Sequence, residues 1–283
     1  YIFMTIPPEK VSHYSSPVDQ ILEKEQKRKS GIGYTLKQSF GLILILALFV
    51  ASWYTAEVSP PAFWEGLPRL ASWLERMFPP DFSEVSTFLI ATWETLAIAI
   101  VGTGVAIILA LPLALIVARN LTPLPQIAPI LRTILNLLRG IDTAIFALFF
   151  VSVVGLGPFA GVLGVAFHTT GSMAKLYAEV LETIPMKPIE AIKATGTDSL
   201  RTFAFAVLPE ALPGLMSISL YLWEFNVRSS VILGIVGAGG IGYELLVSLK
   251  LLDFGRLSTI LLLILLMVSL IDGVSAYCRK QLS

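Results

Sequence analysis

Long uncharged stretches restrict the fold of this chain more than any other feature of its sequence. Residues 95–118 carry no charged side chain, and 55% of the 283 residues are hydrophobic. Only 14% are Asp, Glu, Lys or Arg, whereas a soluble domain carries about 25% charged residues. A transmembrane helix needs about 20 consecutive apolar residues. The sequence therefore predicts an all-α, polytopic protein whose solvent is the lipid bilayer.

Six segments are apolar enough to be predicted as membrane-crossing helices. They lie near residues 39–57, 85–118, 127–154, 158–179, 207–235 and 257–277. Prolines bracket an aromatic-rich segment between the first two, which predicts a short amphipathic helix at the membrane surface. We divide the chain into an N-terminal tail at 1–38, a first helix with its outer loop at 39–84, and a core at 85–283 that holds a cytoplasmic loop at 185–206.

The distribution of Lys and Arg predicts the orientation of the chain. With the N-terminus inside, thirteen of these residues fall on the inner side and four on the outer side. Cytoplasmic loops carry the excess of positive charge, so both termini are predicted to be cytoplasmic. An alternative interpretation of the first segment is a cleaved signal peptide. However, almost forty residues precede it, which is long for the n-region of a signal peptide. We interpret it as a retained signal anchor.

The glycines of GIVGAGGIGYELL match the spacing of a dinucleotide-binding turn. Such a turn needs a preceding strand, a following helix and an acidic residue about 20 positions on. Here the flanks are predicted membrane helices, and LSTILLLILLM at that distance contains no acid. We interpret the segment as a flexible outer loop and as a candidate outer gate of a pathway. Its glycines are Gly237, Gly239, Gly240 and Gly242.

The sequence gives little support for a disulfide, a metal site or an ATPase site. The lone Cys278 excludes an internal disulfide, and two histidines with one cysteine argue against a metal site. A G-x-x-x-x-G-K-[ST] phosphate loop is absent, so the chain is not itself an ATPase.

Polar side chains repeat at i, i+4, i+7 and i+11 in three predicted helices, which places each set on one helical face. The sets are Arg132, Asn136, Arg139 and Thr143; His168, Ser172, Lys175 and Glu179; and Ser217, Tyr221, Glu224 and Arg228. Ionisable groups at membrane depth are costly and face the bundle interior or a wet cavity. The candidate residues of a pathway for a small anion are therefore Arg139, His168, Tyr221, Glu224 and Arg228.

Structural roles for the same side chains stay open. Arg139 has Asp142 at i+3 and Arg228 has Glu224 four positions before it, so each arginine can pair locally. For His168, a hydrogen bond that supports helix packing is an alternative to a role in proton transfer.

The predicted cytoplasmic loop contains a short helix. Pro188 suits a first helical position, and Gly196 suits a left-handed stop. Pro209 and Pro213 mark the expected return of the chain to the membrane. From these residues alone, a loop helix resting on lipid headgroups is an equally good interpretation.

The same loop resembles the EAA loop of ABC-importer permeases, through Glu190-Ala191-Ile192, Gly196 and Ala206-x-Leu208-Pro209. Ile192 replaces the usual second alanine and Ala206 replaces a usual isoleucine. The resemblance implies a coupling helix that docks on a cytoplasmic ATPase. The coupling residues that it implies are Glu190, Ala191, Ile192, Gly196, Asp198, Leu208 and Pro209.

Three further stretches resemble the phosphonate-uptake permease family over roughly residues 85–280: GLGPFAGVLGVAFHTTGSMAKLYAEVLE, LYLWEFNVRSSVILGIVGAGGIGYELL and DFGRLSTILLLILL. The resemblance implies a type I ABC-importer fold in the bacterial cytoplasmic membrane, carrying phosphonate, phosphite or a phosphate-like oxyanion. The implied partners are an ATPase dimer that holds ATP and magnesium, an extracytoplasmic binding protein, and a second copy or a paralogous permease. No cofactor of its own, metal or nucleic acid is expected.

Two other classes of protein agree less well with the sequence. A self-sufficient secondary transporter or channel for a small anion often shows inverted repeats, and we find no convincing internal repeat. A membrane enzyme needs a catalytic constellation, and no Ser/His/Asp set or obvious carboxylate pair is present.

Overall fold

The computed structural model describes residues 32–122 and 124–282, and these residues form helices joined by short turns. The chain divides into two compact units after Leu70. In the first unit, α1 (Ile32–Thr55) begins before the predicted start at residue 39. It is followed by α2 (Pro60–Arg76), an amphipathic helix with no buried residue that continues past the boundary. The charged stretch at 23–31, interpreted above as part of the tail, lies outside the described residues.

The second unit is a helical bundle. Its long elements are α3 (Val85–Val117), α4 (Ala128–Gly140), α5 (Thr143–Val154) and α6 (Pro158–Thr183), followed after a short connecting region by α9 (Leu208–Leu233), α10 (Ile241–Leu251) and α11 (Phe254–Leu282). The connecting region contains α7 (Met186–Ala194) and α8 (Ser199–Thr202). Two π-helical turns flank α9, at Phe203–Val207 and Gly234–Ala238.

Helix α6 runs through the centre of the bundle, and more than half of its residues are buried. Small residues let its neighbours approach closely. A Cβ atom on Gly164 would lie 2.8 Å from the backbone nitrogen of Ala147 in α5, and one on Gly171 would lie 2.8 Å from Cβ of Leu138 in α4. Glycine at these two positions therefore brings α4 and α5 onto the same helix.

The predicted count of six spans is not reproduced. Among the described residues, three helical runs are long and apolar enough to cross a bilayer: α3, Phe203–Ala238 and Phe254–Gln281. The count reaches five if each of two bent helix pairs forms one span. Helix α6 is outside this set because polar and charged side chains lower its hydropathy. Its neighbours are mainly other helices, so it does not need a continuous apolar surface.

The segment predicted as one long helix at 127–154 is two helices, α4 and α5, bent by 90°. Asp142 has extended backbone angles, and its carboxylate accepts a 2.8 Å hydrogen bond from the backbone N–H of Ala144, so it caps α5. The ring of His168 in α6 donates to the carbonyl oxygen of Ile141 at 2.8 Å. Thr143 is buried at the start of α5, and it does not continue the polar face of α4 as predicted.

A buried polar group joins three helices inside the bundle. Asn226 of α9 is fully buried; its amide nitrogen donates to Thr103 Oγ1 of α3 at 2.8 Å, and its amide oxygen accepts from Thr169 Oγ1 of α6 at 3.1 Å. Buried amides are stable only when such partners are present. These bonds fix the relative positions of α3, α6 and α9.

Candidate functional site

Helix α7 lies on the end of the bundle with one apolar side chain turned inward. Only Ile184 and Pro185 separate it from α6. Ile189 is fully buried and belongs to the same apolar cluster as Leu181 of α6 and Val207 of the first π-helical turn. Glu190 and Ala191 are exposed. The helix is therefore anchored on one side and open on the other.

The end of α7 is closed by several hydrogen bonds to one carbonyl. The oxygen of Ile192 accepts from the backbone N–H and the hydroxyl of Thr195 and from the hydroxyl of Thr197, at 3.1, 2.7 and 2.7 Å. Gly196 follows with φ = +81°, the left-handed stop that the sequence predicts. The helix begins at Met186, so Pro188 lies in its first turn and not at its first position. Proline is tolerated there because the amides of the first turn have no acceptor within the helix.

The return to the bundle is helical throughout. Asp198 accepts a 3.0 Å hydrogen bond from the backbone N–H of Arg201 and so caps α8. Leu208 is half-buried and Pro209, which is exposed, lies in the first turn of α9. Pro213 lies inside α9, not at a boundary as predicted. Asp198 therefore has a structural task in shaping the loop.

The outward side of α7 carries charge of both signs. Lys187, Glu190 and Lys193 are exposed, and none of their side chains makes a hydrogen bond or ion pair with another described residue. We call Lys187, Glu190, Ala191 and Lys193 the coupling surface. Its polar groups are available to a second protein.

Part of the predicted polar faces of α4 and α6 meets in a cleft of about 230 Å³. Arg132 donates from Nε, at 3.0 Å, and from Nη2 to the carbonyl oxygen of Val117, the last residue of α3. A cation at this position also offsets the negative end of the helix dipole. The cleft is also lined by Asn136, Lys175 and Glu179.

The polar face of α9 meets α11 in a cluster of four charged residues, Glu224, Arg228, Asp272 and Arg279, which we call the charged cluster. Arg228 Nη2 lies 2.7 Å from Glu224 Oε1, so the predicted local pair is confirmed. Arg228 Nη1 lies 3.4 Å from Asp272 Oδ2, and Arg279 Nη1 lies 3.1 Å from Glu224 Oε2. The cluster therefore links the two helices through two arginines and two carboxylates.

Among the described residues, no side-chain hydrogen bond or ion pair joins Arg139, His168 or Tyr221 to this cluster. The alternative pairing of Arg139 with Asp142 is wrong, because the Asp142 carboxylate caps α5 and no ion pair joins the two among the described residues. Arg139 and Tyr221 are exposed, and their side chains hydrogen-bond to no other described residue. Arg228 shares a second cleft, of about 290 Å³, with Asp142 and Thr143.

The glycine segment forms a tightly packed turn between helices. Gly237, Gly239 and Gly240 have φ of +100°, +77° and +71°, angles that glycine adopts without strain. A Cβ atom on Gly242 would overlap the carbonyl oxygen of Val231. The backbone N–H of Gly240 donates to Glu94 Oε2 at 3.1 Å. The glycines permit close backbone contact, and no βαβ unit surrounds them in the described chain.

Sequence reasoning missed four of the residues that organise these sites: Asp272, Arg279, Asn226 and Glu94. A signal was present for two of them, because Asp272 and Glu94 each interrupt a long apolar run, and an ionisable group at membrane depth marks a functional position. The partners of Asn226 and Arg279 depend on helix packing and leave no local pattern.

Comparison with known proteins identifies the chain. The profile described as "Binding-protein-dependent transport system inner membrane component" matches residues 110–281. A phosphite transport system permease protein of Stutzerimonas stutzeri, PtxC, is 36% identical over 95% of this chain and 98% of its own length. A candidate phosphite transport permease of the same organism, HtxC, is 43% identical over 84% of each chain.

A solved structure supports the same assignment at the level of the fold. A chain of the MetNI methionine ABC transporter in an inward-facing conformation superposes with a TM-score of 0.63 and 25% identity, covering 72% of this chain and 99% of that one. The profile match at residues 110–281 includes the loop at 185–206, the helices α6 and α9, and all but the last residue of α11. The chain therefore belongs to the family of binding-protein-dependent transport system inner membrane components, as a membrane transport subunit and not an enzyme.

Proposed function

We propose that this chain carries phosphite, a phosphonate or a similar phosphorus oxyanion across the bacterial inner membrane. The support is the similarity to relatives named for phosphite transport, one of them matched over nearly its whole length. Both termini are cytoplasmic in this proposal, as the distribution of Lys and Arg favours. The core at 85–283 forms the permease proper, and it follows the first helix with its outer loop.

The coupling surface docks on a cytoplasmic ATPase that holds ATP and magnesium. The single observation that carries this assignment is the arrangement of α7, with Ile189 fully buried and Glu190 exposed on the other side. A short helix anchored in this way moves as a rigid body with the bundle, which a flexible loop cannot do. Glu190, Ala191 and Ile192 belong to this helix, Gly196 and Asp198 shape its exit, and Leu208 with Pro209 starts the next helix.

The pathway lies along the exposed charged face of α9. The side chains of Arg228 and Asp272 are 45% and 43% exposed in the single chain. Charges that face lipid are costly, so this face borders a wet space, which we assign to the interface with a second permease copy. Arg139, His168, Tyr221, Glu224 and Arg228 are the proposed pathway residues.

The glycine turn marks the outer end of this pathway. Gly237, Gly239 and Gly240 lie in the packed turn that joins α9 to α10, and Gly242 is in the first turn of α10. We assign to this turn the role of an outer gate, beside the surface that receives ligand from the extracytoplasmic binding protein. Its close packing means that a gate here moves together with the helices that it joins.

Reconstitution tests the proposed function. The permease, its ATPase and its binding protein are placed in liposomes, and uptake of labelled phosphite, methylphosphonate and phosphate is measured with and without ATP. We expect ATP-dependent uptake of at least one of them. Uptake without ATP or partners would instead show a self-sufficient transporter, and failure to carry any of the three would refute the proposed substrate class.

A charge reversal tests the coupling surface in the same system. Glu190→Lys places a cation on the coupling surface and is expected to abolish ATP-driven uptake while the permease still inserts. Glu65→Lys, a reversal at an exposed position of α2, is the matched control and should leave uptake unchanged. Normal uptake by the Glu190→Lys importer would show that α7 does not transmit the ATPase movement.

A further inference from the structure

The two carboxylates that contact Arg228 do so in different ways. Glu224 Oε1 lies 2.7 Å from Arg228 Nη2, and the Glu224 side chain is 13% exposed. The two Asp272 oxygens lie 3.4 and 3.5 Å from Arg228 Nη1, and that side chain is 43% exposed. Hydrogen bonds from N–H to oxygen are typically 2.7–3.2 Å long. The contact with Glu224 is therefore tight and shielded, and the contact with Asp272 is long and open.

Glu224 is held from a second side as well. Its other oxygen accepts from Arg279 Nη1 at 3.1 Å, and that same nitrogen donates to Ser275 Oγ at 2.6 Å. Asp272 contacts Arg228 alone among the charged side chains of the described residues. Of the two acids in the charged cluster, Asp272 is therefore the one that can leave Arg228 without disturbing the rest.

Arg228 also faces a space that fits a small oxyanion. It lines the cleft of about 290 Å³ together with Ser229 and the apolar side chains of Phe225 and Ile232. One water molecule occupies about 30 Å³ of liquid, so the cleft has room for an oxyanion of a few heavy atoms and several waters. A guanidinium group presents parallel N–H donors that match the oxygens of a phosphoryl group. Asp142 is the only acid among the described residues that line this cleft, and it is engaged in capping α5.

We propose that Asp272 is the resident counter-anion of Arg228, and that the transported phosphorus oxyanion displaces it while Glu224 keeps the guanidinium in place. The inference rests on the proposed function, since it assumes that Arg228 borders the pathway. The charged cluster is neutral as it stands, with two arginines and two acids. When Asp272 is displaced, the oxyanion pairs with the Arg228 guanidinium. When Asp272 returns to Arg228, it favours release of the oxyanion. Asp272 therefore limits how tightly the pathway binds its ligand.

Ligand binding to the permease–ATPase complex tests this exchange. The permease–ATPase complex is placed in lipid nanodiscs without the binding protein, and the Kd for labelled phosphite and methylphosphonate is measured. Asp272→Asn removes the competing charge and is expected to lower the Kd by about fivefold, the scale of an exposed ion pair. Asp272→Glu keeps the charge with a longer reach and is expected to raise the Kd. Asp253→Asn, at the start of the same helix, should leave it unchanged.

The outcomes separate the inference from the proposed function. An unchanged Kd in Asp272→Asn, together with loss of uptake in Arg228→Gln, would overturn the exchange and leave Arg228 on the pathway. Normal binding and uptake in Arg228→Gln would overturn both. If Asp272→Asn does not assemble, Asp272→Glu decides the matter, because an unchanged or lower Kd in that variant also contradicts the exchange.

Discussion

The carboxylate of Glu94 accepts a 3.1 Å hydrogen bond from the backbone N–H of Gly240, although 146 positions separate the two residues. Next to it, Thr95 Oγ1 accepts from the backbone N–H of Ile241 at 2.9 Å. Together these contacts attach the start of α10 to α3. They satisfy backbone donors that have no partner within the helix, and the Glu94 charge lies at the favourable end of the helix dipole.

The packed glycine turn predicts that Gly242→Ala disrupts assembly of the permease. A Cβ atom at this position overlaps the carbonyl oxygen of Val231, a backbone atom that cannot move aside as a side chain can. We expect little monodisperse protein after detergent extraction, measured by size-exclusion chromatography. Gly104→Ala is the control, because its Cβ atom would have no neighbour within 4 Å. Extraction of Gly242→Ala at the level of Gly104→Ala would contradict the packing described here.

The buried amide of Asn226 predicts a loss of stability in Asn226→Leu. The substitution removes both hydrogen bonds to Thr103 and Thr169 and leaves the partner hydroxyls without the amide. A buried polar group without its partner costs about 1–3 kcal/mol. We expect a lower thermal midpoint for the purified permease, with Asn136→Leu on the exposed side of α4 unchanged. Equal midpoints for the two variants would show that the polar group does not hold the helices together.

The hydrogen bond from His168 to the Ile141 carbonyl predicts that geometry matters more than proton transfer at this position. His168→Asn places an amide N–H near the position of the imidazole Nδ1 and should keep both stability and uptake. His168→Leu removes the donor at the 90° bend and should lower the free energy of unfolding by about 1 kcal/mol. Uptake is followed across pH in the Asn variant. A pH profile that flattens relative to the unsubstituted permease would indicate a proton role instead.

Asp81 lies outside the membrane-spanning helices. Its hydrogen-bonded carboxylate predicts that the protein becomes slightly less stable in acid. The backbone N–H of Ser83, 2.9 Å from Asp81 Oδ1, lowers the pKa of the Asp81 carboxyl below its ordinary value of 3.8. A group with a lowered folded-state pKa stabilises the fold above its unfolded pKa, and this contribution is lost as the pH falls through the folded pKa. The thermal midpoint should therefore fall with acid below about pH 4, and less steeply in Asp81→Asn. Parallel curves would contradict this assignment.

The sequence predicts best those helices whose composition is constrained by the lipid bilayer. Helices α3, α9 and α11 are readable because a membrane crossing needs a continuous apolar run. The bend after α4 was missed although Asp142 lies in such a run, where an N-cap residue signals a new helix. The exit of α7 was readable because Gly196 alone of its neighbours suits a left-handed stop.

The candidate site is harder to predict because its contacts join distant parts of the chain. The pair of Arg228 with Glu224 lies within one helix turn and follows from spacing. The contacts of the same arginine with Asp272, and of Gly240 with Glu94, depend on which helices pack together. No local pattern contains that information, so only the three-dimensional arrangement reveals them.

The covalent connection between α7 and α6, the most buried helix of the bundle, consists of Ile184 and Pro185. Proline fixes its own backbone angle, and Ile184 is buried, so this joint has little freedom to absorb movement. Displacement of α7 by a partner is therefore delivered to the axis of the bundle before it reaches the periphery. Inserting a few glycines between α6 and α7 would leave every contact surface intact, but movement of the ATPase would no longer reach the outer gate.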